Sequence, residues 1–160
     1  MSRIPFPAPW RLAGAALLVA QALLAAGPAR AEPPAGLARQ VLAAVNDYRS
    51  ALQLPPLQPD PALEGLAAEH SRAMAQQARL SHAGFQARFQ RAHRHLCVEN
   101  LATGYRRAEA LLDGWRASPK HHENLLEPRV LRVGVAQVDG WVTLLACTVA
   151  VGDELVAAGE

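Results

Sequence analysis

Three short blocks of the sequence carry the residue types that could form a chemically active site. The blocks lie at residues 81–85, 99–102 and 115–126, and their chemical candidates are His82, Glu99 and His121. Imidazole changes charge near neutral pH and binds metals, and a carboxylate can orient an imidazole or complete a coordination shell. Each block also contains Gly, Asn or Pro, which fix the local backbone. The pattern predicts one polar cleft shared by the three side chains.

Two of the three candidates have a competing interpretation. His82 lies beside Gly84 in a segment without helical periodicity, so it is either a functional loop residue or an ordinary surface histidine. Glu99 lies in an otherwise apolar stretch, where a carboxylate must be paired, hydrogen-bonded or at the edge of a cleft. We favour the cleft for Glu99.

The third block contains two adjacent histidines just after Pro119. Because adjacent residues of a helix do not share a face, we expect His121, rather than His122, to face the cleft. No second histidine follows His122 at the spacing of a zincin helix. The sequence also lacks a Gly-x-Ser-x-Gly nucleophile elbow, a catalytic-cysteine signature and a Gly-rich phosphate loop. Asn124 is expected to anchor the local backbone.

The other histidines have simpler interpretations. His70 follows the same helical line as Leu66 and Met74, which predicts a partly buried helix residue. His93 and His95 belong to the Arg- and His-rich stretch 88–95, which we interpret as a solvated face.

The elements that position these residues can be predicted from periodicity and turn signals. Helices are expected over 37–52, 61–78 and 107–115, and a short helix within the loop 79–95; strands are expected over 96–102, 130–138 and 141–149. Asp139-Gly140 between the last two strands is a strong hairpin signal. Because both hairpin strands are apolar on both faces, helices should cover the sheet on both sides. The prediction is an α+β, three-layer α-β-α sandwich with a small central antiparallel sheet and a C-terminal β-hairpin.

The first 31 residues have the pattern of a signal peptide. Arg3 and Arg11 precede the apolar run 12–26, and Ala29-Arg30-Ala31 supplies a cleavage site after Ala31. An uncleaved N-terminal anchor is the alternative. We expect a periplasmic or secreted protein with a flexible leader at 32–36, one domain at 37–150 and a C-terminal tail at 151–160.

The net charge of the chain limits the classes of partner that it can bind, and its cysteine content bears on a disulfide. Without residues 1–31, 13 basic and 14 acidic residues leave a net charge of −1, which argues against a nucleic-acid partner. No later stretch is apolar enough to span a membrane. Export to an oxidising compartment favours a disulfide between Cys97 and Cys147. Two buried thiols, or a metal site that uses the Cys97 thiolate, are the alternatives.

Six blocks together resemble the bacterial branch of the CAP superfamily, which comprises cysteine-rich secretory proteins, antigen 5 and pathogenesis-related 1 proteins. The blocks lie at residues 46–49, 57–60, 67–74, 81–85, 99–102 and 115–126. The resemblance implies an α-β-α sandwich whose cleft holds two histidines and two glutamates, which bind zinc in some members. His82, Glu99 and His121 match that pattern, whereas Ser118 stands where the second glutamate would be. A neutral serine is a poor metal ligand.

Two functions are consistent with this pattern. The first is an exported, non-enzymatic domain that binds a lipid, glycan or peptide in a cleft lined by His82, Glu99, Ser118 and His121, with no required cofactor and zinc as an optional metal. The rival is a zinc-assisted hydrolase of envelope peptides or glycans, in which His82 and His121 hold zinc and Glu99 is the base or third ligand.

Overall fold

The computed structural model of the chain describes residues 36–150. The predicted signal peptide, all but the last residue of the leader, and the C-terminal tail lie outside these residues. The described helices are α1 (Leu37–Ala51), α2 (Pro61–Gln77), α3 (Phe85–Ala92), α4 (Ala108–Arg116) and α5 (Pro119–Leu126). The described strands are β1 (Gln58–Pro59), β2 (Cys97–Thr103), β3 (Arg132–Val138) and β4 (Trp141–Cys147).

The four described strands form one sheet in the order β1-β3-β4-β2. The predicted hairpin between β3 and β4 is confirmed: Asp139 and Gly140 both have positive φ, 49° and 83°, as a two-residue type I′ turn requires. β2 pairs antiparallel with β4, and β1 adds a short parallel pair to β3. β1 was not predicted, because a two-residue strand that contains Pro59 has no alternating pattern to detect.

Helices cover both faces of this sheet, which confirms the α-β-α sandwich. One core packs Val41, Leu111 and Trp115 of α1 and α4 against Val142 and Leu144 of the hairpin. The smaller core on the opposite face packs α2, through Leu63 and Leu66, against Leu145 and Cys147. The two faces of β4 therefore contribute to different cores, as the doubly apolar strand pattern predicts.

α2 begins as its sequence predicts and lies unusually close to the sheet. The Asp60 carboxylate accepts hydrogen bonds from the amides of Ala62 and Leu63, and Pro61 occupies the first helical position. A Cβ atom added to Gly134 of β3 would lie 2.1 Å from the Leu63 backbone. Glycine is therefore needed at this position for α2 to pack on the sheet.

A fully buried arginine fixes the end of α5 against α1. The Arg49 guanidinium donates to the carbonyls of Pro55, Leu125, Glu127 and Val130 at 2.8–3.3 Å. Carbonyls at a helix end have no partner within the helix, so the guanidinium satisfies groups that would otherwise be buried without one. The position of α5 matters because this helix carries two histidines.

Candidate functional site

His82 and Glu99 form the centre of the candidate site. His82 lies in the loop between α2 and α3, and its Nδ1 is 2.9 Å from Oε1 of Glu99 on β2. The Glu99 side chain is 2% exposed and that of His82 is 55% exposed. Because a carboxylate oxygen only accepts, Nδ1 carries the hydrogen and donates it. In the neutral ring, Nε2 is then an unprotonated acceptor.

Arg88 is a further member of the site that was not predicted from the sequence. Its Nε donates to Oε2 of Glu99 at 2.7 Å and its Nη2 donates to Oε1 at 2.8 Å. The interpretation of 88–95 as a solvated face is wrong for Arg88, which is 7% exposed, because α3 turns this residue toward the sheet. His93 and His95 are exposed, as predicted. The signal that could have revealed Arg88 is the need of Glu99 for a cationic partner.

The backbone on each side of His82 is held by a side chain. The buried His70 donates from Nε2 to the Ser81 carbonyl at 2.8 Å, and Arg88 donates from Nη1 to the Ala83 carbonyl at 2.9 Å. Burial lowers the pKa of His70, and the charge of Arg88 lowers this pKa further. The expected burial of His70 is confirmed, and its contact explains how this histidine positions the loop.

The adjacent histidines of α5 point in different directions, as predicted from helix geometry. The His121 ring lies with its centroid 6.4 Å from that of His82, whereas Nε2 of His122 hydrogen-bonds to the Tyr48 hydroxyl at 2.8 Å. Burial lowers the pKa of His121, and the neighbouring His82 lowers it further. His121 is therefore uncharged at neutral pH, and its ring lies near that of His82.

Two asparagines join β2 to α5 beneath the histidines. Asn100 donates to the His121 carbonyl at 3.0 Å. Asn124 donates to the Glu99 carbonyl at 3.1 Å and to Oδ1 of Asn100 at 2.9 Å. The expectation that Asn124 anchors the backbone is confirmed. The network fixes the Glu99 and His121 backbones relative to each other.

Each histidine borders a cavity. His121 and Ser118 line one of about 360 Å³, whose other lining residues are Leu80, Leu101, Ala102, Thr103, Tyr105, Gly114 and Trp115. His82 and Glu99 line one of about 240 Å³ together with Phe85, Cys97, Val98 and Asn124. The larger volume lies within the usual range for small-molecule sites, about 300–1,000 Å³.

The donor set does not fit the expected three-ligand zinc site. Both Glu99 oxygens accept hydrogen bonds from Arg88, and one of them also accepts from His82. Glu123, the acidic residue of α5, pairs with Lys120 at the surface. Within residues 36–150, no group of three or more His, Cys, Asp or Glu is arranged to hold a metal ion. Of the three predicted zinc ligands, the imidazoles of His82 and His121 therefore remain available to contact a bound molecule.

Cys97 and Cys147 form a disulfide, so neither cysteine is free to bind a metal. They lie directly opposite each other on β2 and β4, with a sequence separation of 50. The predicted pairing is confirmed, and the bond ties the strand that carries Glu99 to the hairpin. Among the described residues, no helix is long and apolar enough to cross a membrane.

Comparison with known proteins identifies the family. Residues 42–149 match the model of the CAP family, described as the cysteine-rich secretory protein family. This match covers more than half of the sequence, and the chain belongs to the CAP family. No functionally curated protein matches it.

Solved structures share the fold. An extracellular protein of Bacillus anthracis that contains an SCP domain aligns with a TM-score of 0.67 and 28% identity, over 71% of this chain and 40% of that one. A cysteine-rich secretory protein of Staphylococcus aureus aligns with a TM-score of 0.65 and 15% identity, over 71% and 38%. An outer surface protein of Borrelia burgdorferi aligns with a TM-score of 0.63 and 21% identity, over 69% and 90%. The alignments with the first two thus span less than half of those chains.

Proposed function

We propose that this chain is an exported CAP domain that binds a lipid, glycan or peptide ligand in the cleft between His82 and His121, without catalysing a reaction. The observation that carries the proposal is the exposed His82 imidazole, held by Glu99, whose ring centroid lies 6.4 Å from that of His121 in the wall of a largely apolar cavity. A few fixed polar groups next to apolar walls are the usual composition of a small-molecule site.

The contacts of Glu99 favour binding over zinc-assisted hydrolysis. A hydrolase of that kind needs a carboxylate that can coordinate zinc or accept a proton from water. The Glu99 side chain is 2% exposed and already accepts three hydrogen bonds, two from Arg88 and one from His82, so little of its acceptor capacity remains for zinc or water.

Three observations support export. The sequence begins with a signal-peptide pattern, the chain has a disulfide, and two structural relatives are described as an extracellular protein and an outer surface protein. We expect the protein in the periplasm or the medium, with Glu32 at its N-terminus. N-terminal sequencing of the extracytoplasmic fraction tests this, and a membrane-bound protein that retains Met1 would contradict it.

The cleft is tested by a substitution that fills the larger cavity. Ser118 lines this cavity and its side chain makes no capping hydrogen bond to α5, so Ser118→Phe should block the cavity while α5 still forms. Ser118→Ala removes the hydroxyl and leaves the cavity open, which makes it the matched control. Each protein is purified from the extracytoplasmic fraction, denatured, and analysed by mass spectrometry for released small molecules.

We expect the same molecule to be released from the wild-type protein and Ser118→Ala, and to be absent from Ser118→Phe. Release of identical material from all three proteins would show that the molecule binds elsewhere and would contradict the proposed site.

A further inference from the structure

We propose that the cavity between α2 and α3 is a second binding site, which takes the acetamido group of an N-acetylated amino sugar. The amide N–H donates to Nδ1 of His70, and the amide carbonyl accepts from Nη1 of Arg88. This site goes beyond the proposed function, because it lies outside the cleft between His82 and His121. Its cavity, of about 250 Å³, shares no lining residue with the two cavities beside those histidines.

His70 of α2 offers an unused acceptor to this cavity. Its Nε2 donates to the Ser81 carbonyl, and burial lowers its pKa, so Nδ1 of the neutral ring carries a lone pair. Within residues 36–150, Nε of Arg94 is the only side-chain nitrogen or oxygen that is both closed to solvent and without a hydrogen-bond partner. Nδ1 of His70, which has no partner among these residues, is therefore open to solvent although the residue is 7% exposed. Because His70 lines the cavity, a ligand there meets a lone pair that selects an N–H or O–H donor.

Arg88 of α3 offers a donor to the same cavity. A guanidinium has five N–H groups, and the bonds of Arg88 to Glu99 and to the Ala83 carbonyl use three of them. One N–H therefore remains on Nη1. Gly84 also lines the cavity, and a Cβ atom at this position would lie 3.3 Å from Nη1 of Arg88. Since glycine has no Cβ atom, Nη1 is left open on that side.

A lone pair on one helix and an N–H donor on the other match a secondary amide. In a trans amide the N–H and the C=O point in opposite directions, so one group can bond to both helices. A carboxylate has no hydrogen to donate to His70, and an ammonium group has no lone pair to accept from Arg88. The two side chains together therefore select a neutral amide over either ion.

The size and the apolar walls of the cavity favour an acetyl group. Ala73 of α2 and Ala87 of α3 line it with methyl groups, which suit the methyl end of an acetamido group. Its volume is below the usual range for a complete small-molecule site, about 300–1,000 Å³, so it takes a substituent while the rest of the ligand stays outside. The backbone of a peptide continues on both sides of each amide and has no such methyl end.

The ion pair that borders the cavity suits the hydroxyl groups of a sugar. Arg91 donates to both carboxylate oxygens of Glu69 at 2.6 and 3.1 Å, and the two side chains are 56% and 54% exposed. Their charges cancel, so the pair does not attract a charged ligand. A hydroxyl group can both donate to a carboxylate and accept from a guanidinium, and the ring hydroxyls of an amino sugar can therefore bond to both residues.

The test compares N-acetylglucosamine with two probes that each lack one of the proposed features. Glucose has a hydroxyl in place of the acetamido group, and N-acetylalanine N-methylamide has secondary amides but no hydroxyl. Each is titrated at neutral pH and followed by nitrogen-15 NMR of the histidine rings, with the His70 resonances assigned by their loss in His70→Gln. We expect N-acetylglucosamine to shift Nδ1 of His70 and to bind at least about tenfold more tightly than either other probe.

Two neighbouring positions of α3 provide a matched pair of variants. Ala87 lines the cavity, whereas Gln86 does not, and both residues are exposed. Ala87→Leu should weaken the binding of N-acetylglucosamine by at least about tenfold, and Gln86→Leu should leave it unchanged. Equal melting temperatures for the two variants show that the weakening reflects the filled cavity. Ser118→Phe, which blocks the cavity beside His121, should bind N-acetylglucosamine as the wild-type protein does.

Each feature of the proposal has an outcome that overturns it. Glucose that binds as tightly as N-acetylglucosamine would overturn the acetamido group, and equal binding of the alanine amide would overturn the sugar. Absence of any shift at His70 in the wild-type protein, or equal binding by Ala87→Leu and Gln86→Leu, would overturn the site. Loss of binding in Ser118→Phe would place the sugar in the cleft and would also overturn the second site.

Discussion

Arg88 and Glu99 form a two-pronged ion pair beneath the cleft, with N–H donors 2.7 and 2.8 Å from the two carboxylate oxygens. Guanidinium and carboxylate groups have matching planar geometries, so this arrangement satisfies both oxygens. The same carboxylate orients His82 through Nδ1. Glu99 therefore acts on the site through the imidazole that it orients, rather than as a free base or ligand.

Removal of Arg88 should strongly destabilise the fold. Arg88→Met leaves the Glu99 charge buried without a partner, and we expect the free energy of unfolding to fall by about 3–5 kcal/mol. Arg88→Met combined with Glu99→Met removes both charges and should recover much of this loss. Urea denaturation of the single and double variants measures both quantities.

Arg91→Met is the matched control because Arg91 also pairs with a glutamate, Glu69, but at an exposed position on α3. Exposed ion pairs contribute little to stability, so this variant should unfold at nearly the wild-type urea concentration. Equal losses from Arg88→Met and Arg91→Met would show that the buried pair has no special role.

Acidification should destabilise the protein through two imidazoles with lowered pKa values. Burial lowers the pKa of both His70 and His121 in the folded state. The unfolded chain then binds protons at higher pH, so stability is lost as the pH falls through the ordinary histidine value of about 6.5 toward the lowered pKa values. The melting temperature should decrease over this interval. His70→Gln, which retains an N–H donor for the Ser81 carbonyl, should reduce the decrease; a melting temperature that rises on acidification would refute this account.

The disulfide should contribute substantially to stability. Cys97 and Cys147 close a segment with a sequence separation of 50, which in the chain-entropy model stabilises the fold by roughly 4 kcal/mol. Replacement of both cysteines by serine should lower the free energy of unfolding by about this amount. A thiol assay on unfolded, unreduced protein should detect no free thiol, and two thiols per chain would show that the bond does not form in solution.

Local signals in the sequence predicted much of the fold and part of the site. Asp139-Gly140 identifies the hairpin because few residue pairs adopt positive φ twice. Helix geometry separates His121 from His122, since neighbouring side chains on α5 diverge. Both predictions depend only on residues close in sequence.

The features that were missed depend on long-range partners. Arg88 is buried because Glu99, 11 residues away, needs a cation; Arg49 is buried because it reaches the Leu125 carbonyl, 76 residues away. Arginine is usually exposed, so composition alone predicts the wrong environment for both. Zinc was expected at Glu99 because the spacing of His82, Glu99 and His121 does not reveal that Arg88 donates hydrogen bonds to both oxygens of this carboxylate.

The hydrogen-bonding state of the His82 ring tests the central claim most directly. The contact with Glu99 requires a hydrogen on Nδ1, and in the neutral ring Nε2 then holds the lone pair on which the proposed binding site depends. Nitrogen-15 NMR of histidine-labelled protein without ligand, at neutral pH, distinguishes the two tautomers. We expect the resonance of a protonated Nδ1 and an unprotonated Nε2 for His82, with Glu99→Gln shifting the ring toward the other tautomer. A wild-type His82 with its hydrogen on Nε2 would contradict the account.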